Sequence, residues 1–185
     1  QTLRSDKIYK HTLGTDASAD TMVYHEKDDT FGTFVYKEKS KKYLVIGSSS
    51  TLTSEYQILE SKNPNGEFRV FQKRTRGLEY SISHYGDSFY IVTNKDKATN
   101  FKLMKTPETA TSAENWKDLI GHRKDVLLEG IEIFKDYLVV EERSNGLNKI
   151  QIRPWNGKGE YYLPFESETY TAYTTTNVDF DTEIL

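Results

Sequence analysis

The residues best suited to chemistry are Glu141, Glu142 and Arg143, which directly follow the apolar pair Val139 and Val140. Two carboxylates can serve as a general acid and a general base when both reach the same substrate bond. Adjacent residues of a strand point to opposite faces, so Glu141 and Glu142 cannot easily flank one bond, whereas Glu141 and Arg143 share a face. We therefore expect ion pairing at Glu141 and Arg143, within or between sheets, and no acid–base catalysis.

A second carboxylate-rich stretch is "HEKDD", which starts at His25. Its composition is that of a metal-ligand set, and calcium accepts several carboxylate oxygens. The spacing matches no EF-hand loop, and in a strand Glu26 and Asp28 lie on one face while His25 and Lys27 lie on the other. We predict a solvated turn here, with no metal site and no cofactor.

Histidine is the usual base that activates a serine nucleophile. The four histidines, His11, His25, His84 and His122, fall in different parts of the chain, and the sequence pairs none of them with a serine. We expect them to be surface or packing residues, and we predict no catalytic residue in this chain.

The elements that carry these residues follow one plan three times. An aromatic residue opens an apolar strand, a polar hairpin follows, and an alternating strand returns; the opening residues are Tyr43, Phe89 and Tyr137, 46 and 48 residues apart. Each copy has one more strand-like run before it and one after it, so each unit holds four strands. This pattern is typical of propeller blades, because one small twisted sheet cannot bury both faces without neighbours. The predicted fold class is all-β, an incomplete β-propeller.

The predicted domain map contains three complete blades, at residues 30–73, 74–120 and 121–166. Residues 1–29 are predicted to end a preceding blade, and residues 167–185, which include "TYTAYTTTNVDF", to supply the first strand of the next. Propellers typically close with about four to eight blades. We therefore expect a fragment of one propeller domain from a longer protein, which associates with itself through its exposed blade faces.

Composition excludes several classes of function. Aromatic residues make up 13% of the chain, which favours strands, and the net charge of −3 comes from 25 basic and 28 acidic residues scattered throughout. No polybasic stripe is present, so we expect no nucleic-acid partner. With no cysteine, disulfide scaffolds and thiol nucleophiles are excluded. No apolar run approaches the ~18 residues of a membrane helix, so we expect no membrane partner.

Three stretches resemble a known family. They are "MVYHEKDDTF" from Met22, "EYSISHYGDSFYIVTNKDKATNFKLMKT" from Glu79 and "LLEGIEIFKDYLVVEERSNGLNKI" from Leu127. In one register, from about residue 8 to the C-terminus, the chain is similar to the propeller domain of the prolyl oligopeptidase family, in its oligopeptidase B (protease II) branch. The resemblance implies a cytoplasmic or periplasmic serine peptidase that cleaves short peptides after Lys or Arg, with the propeller as a size filter and lid over an α/β-hydrolase domain.

The chemistry of that family requires a G-x-S-x-G turn that exposes a nucleophilic serine, followed along the chain by Asp and His. This chain contains no such motif. The most similar stretch, "IGSSST" from Ile46, lacks the second glycine and lies between two predicted strands, so we predict a hairpin. The resemblance therefore places catalysis in a hydrolase domain of the same polypeptide, outside this chain, and the chain alone is expected to be inactive.

Basic residues cluster in the loops that enter the first strands of two blades, "KRTRGLE" from Lys73 and "GHRKD" from Gly121. In a propeller these loops share one face. We expect this face to meet the hydrolase domain, with its cations paired with acidic groups there; the alternative is solvated loop charge. The candidate interdomain or substrate-gating residues are Arg74, Arg76, Arg123, Lys124, Glu141 and Arg143.

Two other classes of protein remain open from the sequence. A propeller scaffold that only binds protein partners would share the blades and lack the triad, but it should close its own ring. A carbohydrate-binding β-sandwich could use Trp155, Tyr161, Tyr162 and Tyr170 as stacking platforms. Such a sandwich would not show the blade-length repeat.

Overall fold

The computed structural model describes residues 3–182 and 184–185, and these form fourteen strands in four separate antiparallel sheets. Three sheets have four strands and one has two, and hydrogen-bonded neighbours follow chain order throughout. Sequential antiparallel order is the meander of a propeller blade. The predicted all-β incomplete propeller is confirmed.

The strands group into sheets as predicted from the aromatic residues Tyr43, Phe89 and Tyr137. The two-stranded sheet contains β1 (Lys7–Lys10) and β2 (Thr21–His25); the first blade contains β3 (Gly32–Lys37), β4 (Tyr43–Ser49), β5 (Ser54–Glu60) and β6 (Arg69–Val70). The second blade contains β7 (Tyr80–Tyr85), β8 (Ser88–Thr93), β9 (Lys102–Pro107) and β10 (Lys117–Ile120). The third blade contains β11 (Leu127–Ile133), β12 (Tyr137–Ser144), β13 (Leu147–Pro154) and β14 (Tyr161–Tyr162). Single 3₁₀ turns lie at Ala17–Ala19, Lys95–Lys97 and Ala113–Asn115.

The chain divides into two compact units, residues 1–79 and residues 80–185. The N-terminal unit contains the two-stranded sheet and the first blade. The "IGSSST" stretch forms the end of β4 and a hairpin at residues 50–53, closed by a hydrogen bond from Ser50 N to Thr53 O of 2.9 Å. The hairpin prediction for this serine-rich stretch is confirmed.

A glycine in the first blade is covered by an aromatic ring. Gly47 pairs with Phe34 across β3 and β4, and a Cβ built on Gly47 would lie only 2.4 Å from the Phe34 ring. The ring therefore rests directly on the backbone of the neighbouring strand. This contact explains why a strand rich in β-branched residues contains a glycine at this position.

The C-terminal unit contains the second and third blades, which share one core. Alternation along β12 directs Leu138 and Val140 to that shared core and Val139 to the opposite face of the third blade. The shared core contains Tyr90, Val92, Leu103, Ile120, Leu128, Ile133, Leu138 and Val140. A second, smaller cluster on the opposite face contains Phe134, Val139, Ile150 and Ile152.

The strand expected in "TYTAYTTTNVDF" does not form. After Tyr162, the described residues 163–182 and 184–185 contain no strand and form irregular chain with two bends. The residue types favour a strand, but here their backbone has no neighbouring strand with which to make a ladder. Among the described residues, no helix is long and apolar enough to cross a membrane.

Candidate functional site

The first basic loop, residues 73–79, is held by Arg74. The Arg74 guanidinium donates from Nη2 to Glu26 Oε2 at 2.6 Å and to Glu55 Oε1 at 3.2 Å. Its central carbon lies 3.7 Å from the centroid of the Phe31 ring, a cation–π contact. Arg74 is therefore bound within the N-terminal unit, and it is not a solvated loop charge.

Glu26 is the buried centre of this cluster, with a side chain only 5% exposed. Besides Arg74, it accepts hydrogen bonds from the Tyr24 hydroxyl at 2.9 Å and from Asp28 N at 3.0 Å. Burial alone would raise the pKa of Glu26, but these donors and the charge of Arg74 lower it to about 2. The prediction of a solvated turn at "HEKDD" is wrong for this residue, because Glu26 points inward to a cation from a distant loop.

The second basic loop, residues 121–126, is held in the same way by Arg123. Its Nη2 donates to Oε1 of Glu142, whose side chain is 1% exposed, and its Nη1 lies 3.4 Å from Oε2. The Tyr162 hydroxyl donates to the same Oε2 at 2.9 Å. Burial and the Glu142 carboxylate raise the pKa of the Tyr162 phenol.

Each unit thus contains a cluster of one tyrosine, one buried glutamate and one loop arginine. We call these the Tyr24–Glu26–Arg74 cluster and the Tyr162–Glu142–Arg123 cluster. From the sequence, both arginines were candidate interdomain residues, whereas Glu26 and Glu142 were considered for metal binding and acid–base catalysis and were then set aside. Alternation along β12 was the feature of the sequence that could have identified Glu142 as buried. Glu142 shares a strand face with Leu138 and Val140, and so it points toward the shared core.

Glu141 and Arg143 lie on β12 as predicted, but each has its own partner. Glu141 Oε1 accepts from Thr174 N at 2.5 Å and from Thr174 Oγ1 at 2.7 Å. Arg143 Nε donates to Glu129 Oε1 at 2.7 Å. The expected ion pairing is found for Arg143 with a neighbouring strand, whereas Glu141 binds neutral donors of the segment that follows β14.

Arg76 and Lys124 differ from the arginines beside them. Both are exposed, and the part of the chain that the structure describes offers no ion pair or side-chain hydrogen bond to either. Asn100 Nδ2 donates to the backbone carbonyl of Lys124 at 2.8 Å, which holds the loop and leaves the ammonium group in solvent. Of the four candidate cations in the two loops, these two are available to bind a partner.

Arg76 lies at the edge of a shallow recess of about 650 Å³. Arg4 also lines it and donates to the backbone carbonyls of Asp29, at 3.1 Å, and Thr30, at 2.5 Å. The remaining lining includes the polar hairpin of β4 and β5, at residues 50–53. The recess therefore combines two cationic side chains, Arg4 and Arg76, with Asp29 and Leu52.

The histidines bind carboxylates or a hydroxyl. His11 Nδ1 lies 2.7 Å from Asp20 Oδ1, His25 Nε2 lies 3.5 Å from Asp6 Oδ2, and His84 Nε2 lies 2.9 Å from Glu108 Oε2. His122 Nε2 lies 3.5 Å from Thr99 Oγ1. Among the described residues no group of three or more His, Cys, Asp or Glu side chains could hold a metal ion.

Three of the four aromatic residues considered as sugar platforms have other contacts, and the fourth, Tyr161, is exposed. Trp155 packs against Tyr85 and Tyr90, at centroid distances of 6.1 and 5.4 Å, and Tyr162 belongs to the Tyr162–Glu142–Arg123 cluster. Tyr170 stacks on Phe165 at 4.3 Å. These rings contribute to packing in the C-terminal unit.

Three four-stranded antiparallel meanders, with buried ion pairs that hold their connecting loops, define a segment of a β-propeller. Comparison with known families is more specific: the family model "Prolyl oligopeptidase, N-terminal beta-propeller domain" matches residues 1–184. The chain therefore belongs to the prolyl oligopeptidase family of serine peptidases, as part of its N-terminal propeller domain.

Individual relatives agree with this assignment. The chain is 38% identical over its full length to dipeptidyl aminopeptidase BI of Pseudoxanthomonas mexicana and 28% identical over 97% of its length to protease 2 of Moraxella lacunata. The solved structure of oligopeptidase B from Leishmania major matches 92% of the chain with a TM-score of 0.84 and 30% identity. In each case the chain spans 25% of the relative. The resemblance to the oligopeptidase B branch is confirmed.

Proposed function

We propose that this chain is the non-catalytic propeller segment of a serine oligopeptidase that cleaves short peptides after Lys or Arg. In this proposal it filters substrates by size and forms a lid over an α/β-hydrolase domain of the same polypeptide. The main support is the match of the family model to residues 1–184, together with 30% identity to an oligopeptidase B structure. The absence of a G-x-S-x-G motif from the sequence agrees with catalysis elsewhere.

The activity test uses two proteins: this chain alone, and a polypeptide in which it is joined to its hydrolase domain. We expect the joined protein to cleave short peptides with an internal Lys or Arg and to leave long unfolded chains intact. The chain alone should hydrolyse neither. Release of N-terminal dipeptides instead would favour the specificity named for the Pseudoxanthomonas relative. A joined protein that binds other proteins without hydrolysing peptides would support the scaffold alternative.

We further propose that Arg76 and Lys124 contact acidic groups of the hydrolase domain. Both cations are exposed and unpaired within the described chain, whereas Arg74 and Arg123 are bound to buried glutamates. The buried pairs hold the loops in position, and the exposed cations attract the partner. Charges at the rim of an interface act mainly on association and on its salt dependence.

Charge reversal tests this interface in the joined protein. With R76E and K124E together, we expect kcat/KM for a short basic peptide to differ about threefold from the wild-type value at low salt. This difference from wild type should vanish at about 0.5 M NaCl. The matched control is K62E, because Lys62 is exposed and follows β5, at the opposite end of the first blade from Arg76. Equal salt profiles for R76E/K124E and K62E would contradict the proposal.

A further inference from the structure

Three asparagines of this chain directly precede a glycine, namely Asn65, Asn145 and Asn156. An asparagine loses its side-chain amide spontaneously when the backbone nitrogen of the next residue attacks its Cγ atom. A glycine in the next position favours this reaction, because it has no Cβ to shield that nitrogen. The three Asn-Gly pairs are therefore alike in sequence, and only their folded surroundings can make them react differently.

The Asn65–Gly66 pair is held at both reacting groups. The Gly66 N–H donates to Asn63 O at 2.9 Å, and Asn65 Oδ1 accepts from Lys10 Nζ at 2.8 Å. Before the attack, the Gly66 nitrogen must give up its acceptor, and the Asn65 side chain must turn away from Lys10. Both changes cost free energy, so the folded chain protects this pair.

The Asn156–Gly157 pair, between β13 and β14, is held in the same way. The Gly157 N–H donates to Pro154 O at 3.0 Å, and Asn156 Oδ1 accepts from the Lys158 N–H at 2.9 Å. Both residues of the pair are exposed. Exposure to water is therefore not sufficient for reaction, because the attacking nitrogen and the side chain are both in hydrogen bonds.

The Asn145–Gly146 pair forms the two-residue turn between β12 and β13. Ser144 and Leu147 pair across it, and φ is +51° at Asn145 and +78° at Gly146, as a type I′ turn requires. Both residues of the pair are exposed. Within the part of the chain that the structure describes, neither the Gly146 N–H nor the Asn145 side chain has a hydrogen-bond partner. Neither reacting group has to give up a hydrogen bond before the attack.

We propose that Asn145 is the preferred site of spontaneous deamidation in the folded chain. The Gly146 nitrogen loses its proton to a base in solution and attacks Asn145 Cγ. The bond from Cγ to Nδ2 breaks, and the amide nitrogen takes a proton from water and leaves as ammonia. One water molecule then opens the succinimide ring. Cleavage between Cγ and the Gly146 nitrogen gives aspartate, and cleavage between the Asn145 carbonyl carbon and that nitrogen gives isoaspartate.

The two products differ in their effect on the third blade. Aspartate keeps the original main chain, and Asp-Gly suits the same type of turn. Isoaspartate routes the main chain through the side-chain carbons, which adds a methylene group to the turn. The pairing of β12 with β13, from Tyr137 with Pro154 to Ser144 with Leu147, depends on a two-residue turn. Isoaspartate therefore destabilises this hairpin, whereas aspartate does not. The inference concerns this chain itself and does not depend on the peptidase proposal.

Peptide mapping by mass spectrometry tests the site. The full chain is incubated in the folded state at mildly alkaline pH, and conversion at all three Asn-Gly pairs is followed in the same sample. We expect Asn145 to react at least about fivefold faster than Asn65 or Asn156, the factor expected when one backbone hydrogen bond must break. In guanidinium chloride the three rates should become similar, because the protecting hydrogen bonds are lost. Equal rates in the folded chain, no conversion at Asn145, or the same preference for Asn145 after unfolding would overturn the proposal.

The effect on the blade is measured by comparing N145D with the isoaspartate form, which chromatography separates from the incubated sample. Both carry the same added charge, so they differ only in the extra methylene group of the main chain. We expect N145D to keep the wild-type urea midpoint of the C-terminal unit and the isoaspartate form to unfold at a lower urea concentration. An isoaspartate form as stable as N145D would overturn the proposed effect on the hairpin.

Discussion

At the scale of single residues, the same arrangement of a tyrosine, a buried glutamate and a loop arginine occurs in both units. A loop arginine is bound by a glutamate whose side chain is 5% exposed for Glu26 and 1% exposed for Glu142, and a tyrosine hydroxyl supplies a further hydrogen bond. A buried carboxylate is costly unless its charge is paired and its lone pairs accept hydrogen bonds. The clusters meet both conditions, so each fixes a connecting loop to the body of its unit.

Glu26 provides a pH test of this arrangement. Its pKa is lowered from an ordinary 4.5 to about 2, so the folded state binds a proton less readily than the unfolded state. Its contribution is therefore complete above about pH 5 and is lost as the pH falls toward 2, amounting to at most about 3 kcal/mol. We expect E26Q to lower the free energy of unfolding at pH 7 and the difference from wild type to shrink between pH 5 and 2, by urea unfolding.

The matched control for E26Q is E67Q, which removes the same charge from an exposed residue of the same unit. E67Q should follow the wild-type pH profile. A constant difference between wild type and E26Q across this pH range would contradict the assignment of Glu26 as the titrating group.

At the scale of elements, alternation in the sequence identified the strands of each blade. The side-chain contacts that stabilise a particular pair of strands differ from pair to pair. In the first blade, the ring of Phe34 occupies the space above Gly47 on the adjacent strand. An aromatic ring over a cross-strand glycine shields the backbone where no side chain is available. The ring of Phe34 is 42% exposed, so it can move at moderate cost.

We predict that G47A lowers the free energy of unfolding by about 1 kcal/mol, because the new methyl group displaces the Phe34 ring. The control is G32A on β3 of the same blade, where a Cβ meets nothing within 4 Å. G32A should be neutral or slightly stabilising. In an F34A background the cost of G47A should largely disappear, as measured by a double-mutant cycle from chemical denaturation; an unchanged cost would show that the ring is not responsible.

At the scale of the molecule, the C-terminal unit is held together by the core that the second and third blades share. Leu103 of the second blade and Val140 of the third are both fully buried there. Since neither blade can bury this face alone, their unfolding should be coupled. Trp116 packs with Tyr80 inside the second blade, whereas Trp155, which follows β13 of the third blade, packs against Tyr85 and Tyr90 of the second. The two indoles therefore report on the second blade and on the boundary between the two blades.

We predict that L103A lowers the free energy of unfolding of the C-terminal unit by about 3 kcal/mol, because it leaves a cavity between two sheets. L119A, at a 42% exposed position on β10, is the control and should cost less than about 1 kcal/mol. In W116F and W155F variants, fluorescence of the remaining tryptophan should give the same urea midpoint, and L103A should move both midpoints together. Separate midpoints would contradict a common core.

The sequence alone determined the class of fold, the three blades and the hairpin at "IGSSST", because these depend on local alternation and on a repeat that any one chain displays. The family was indicated separately, by the resemblance of whole stretches to known members. The tertiary structure decided which charged residues form hydrogen bonds or ion pairs, and with which partners. Arg74 reaches Glu26 across 48 positions and Thr174 reaches Glu141 across 33. Alternation tells which residues share a face, but it does not tell which distant loop arrives there. For that reason the sequence selected Arg74 and Arg123 without pairing them with their glutamates, and it predicted a strand after Tyr162 where the described residues form none.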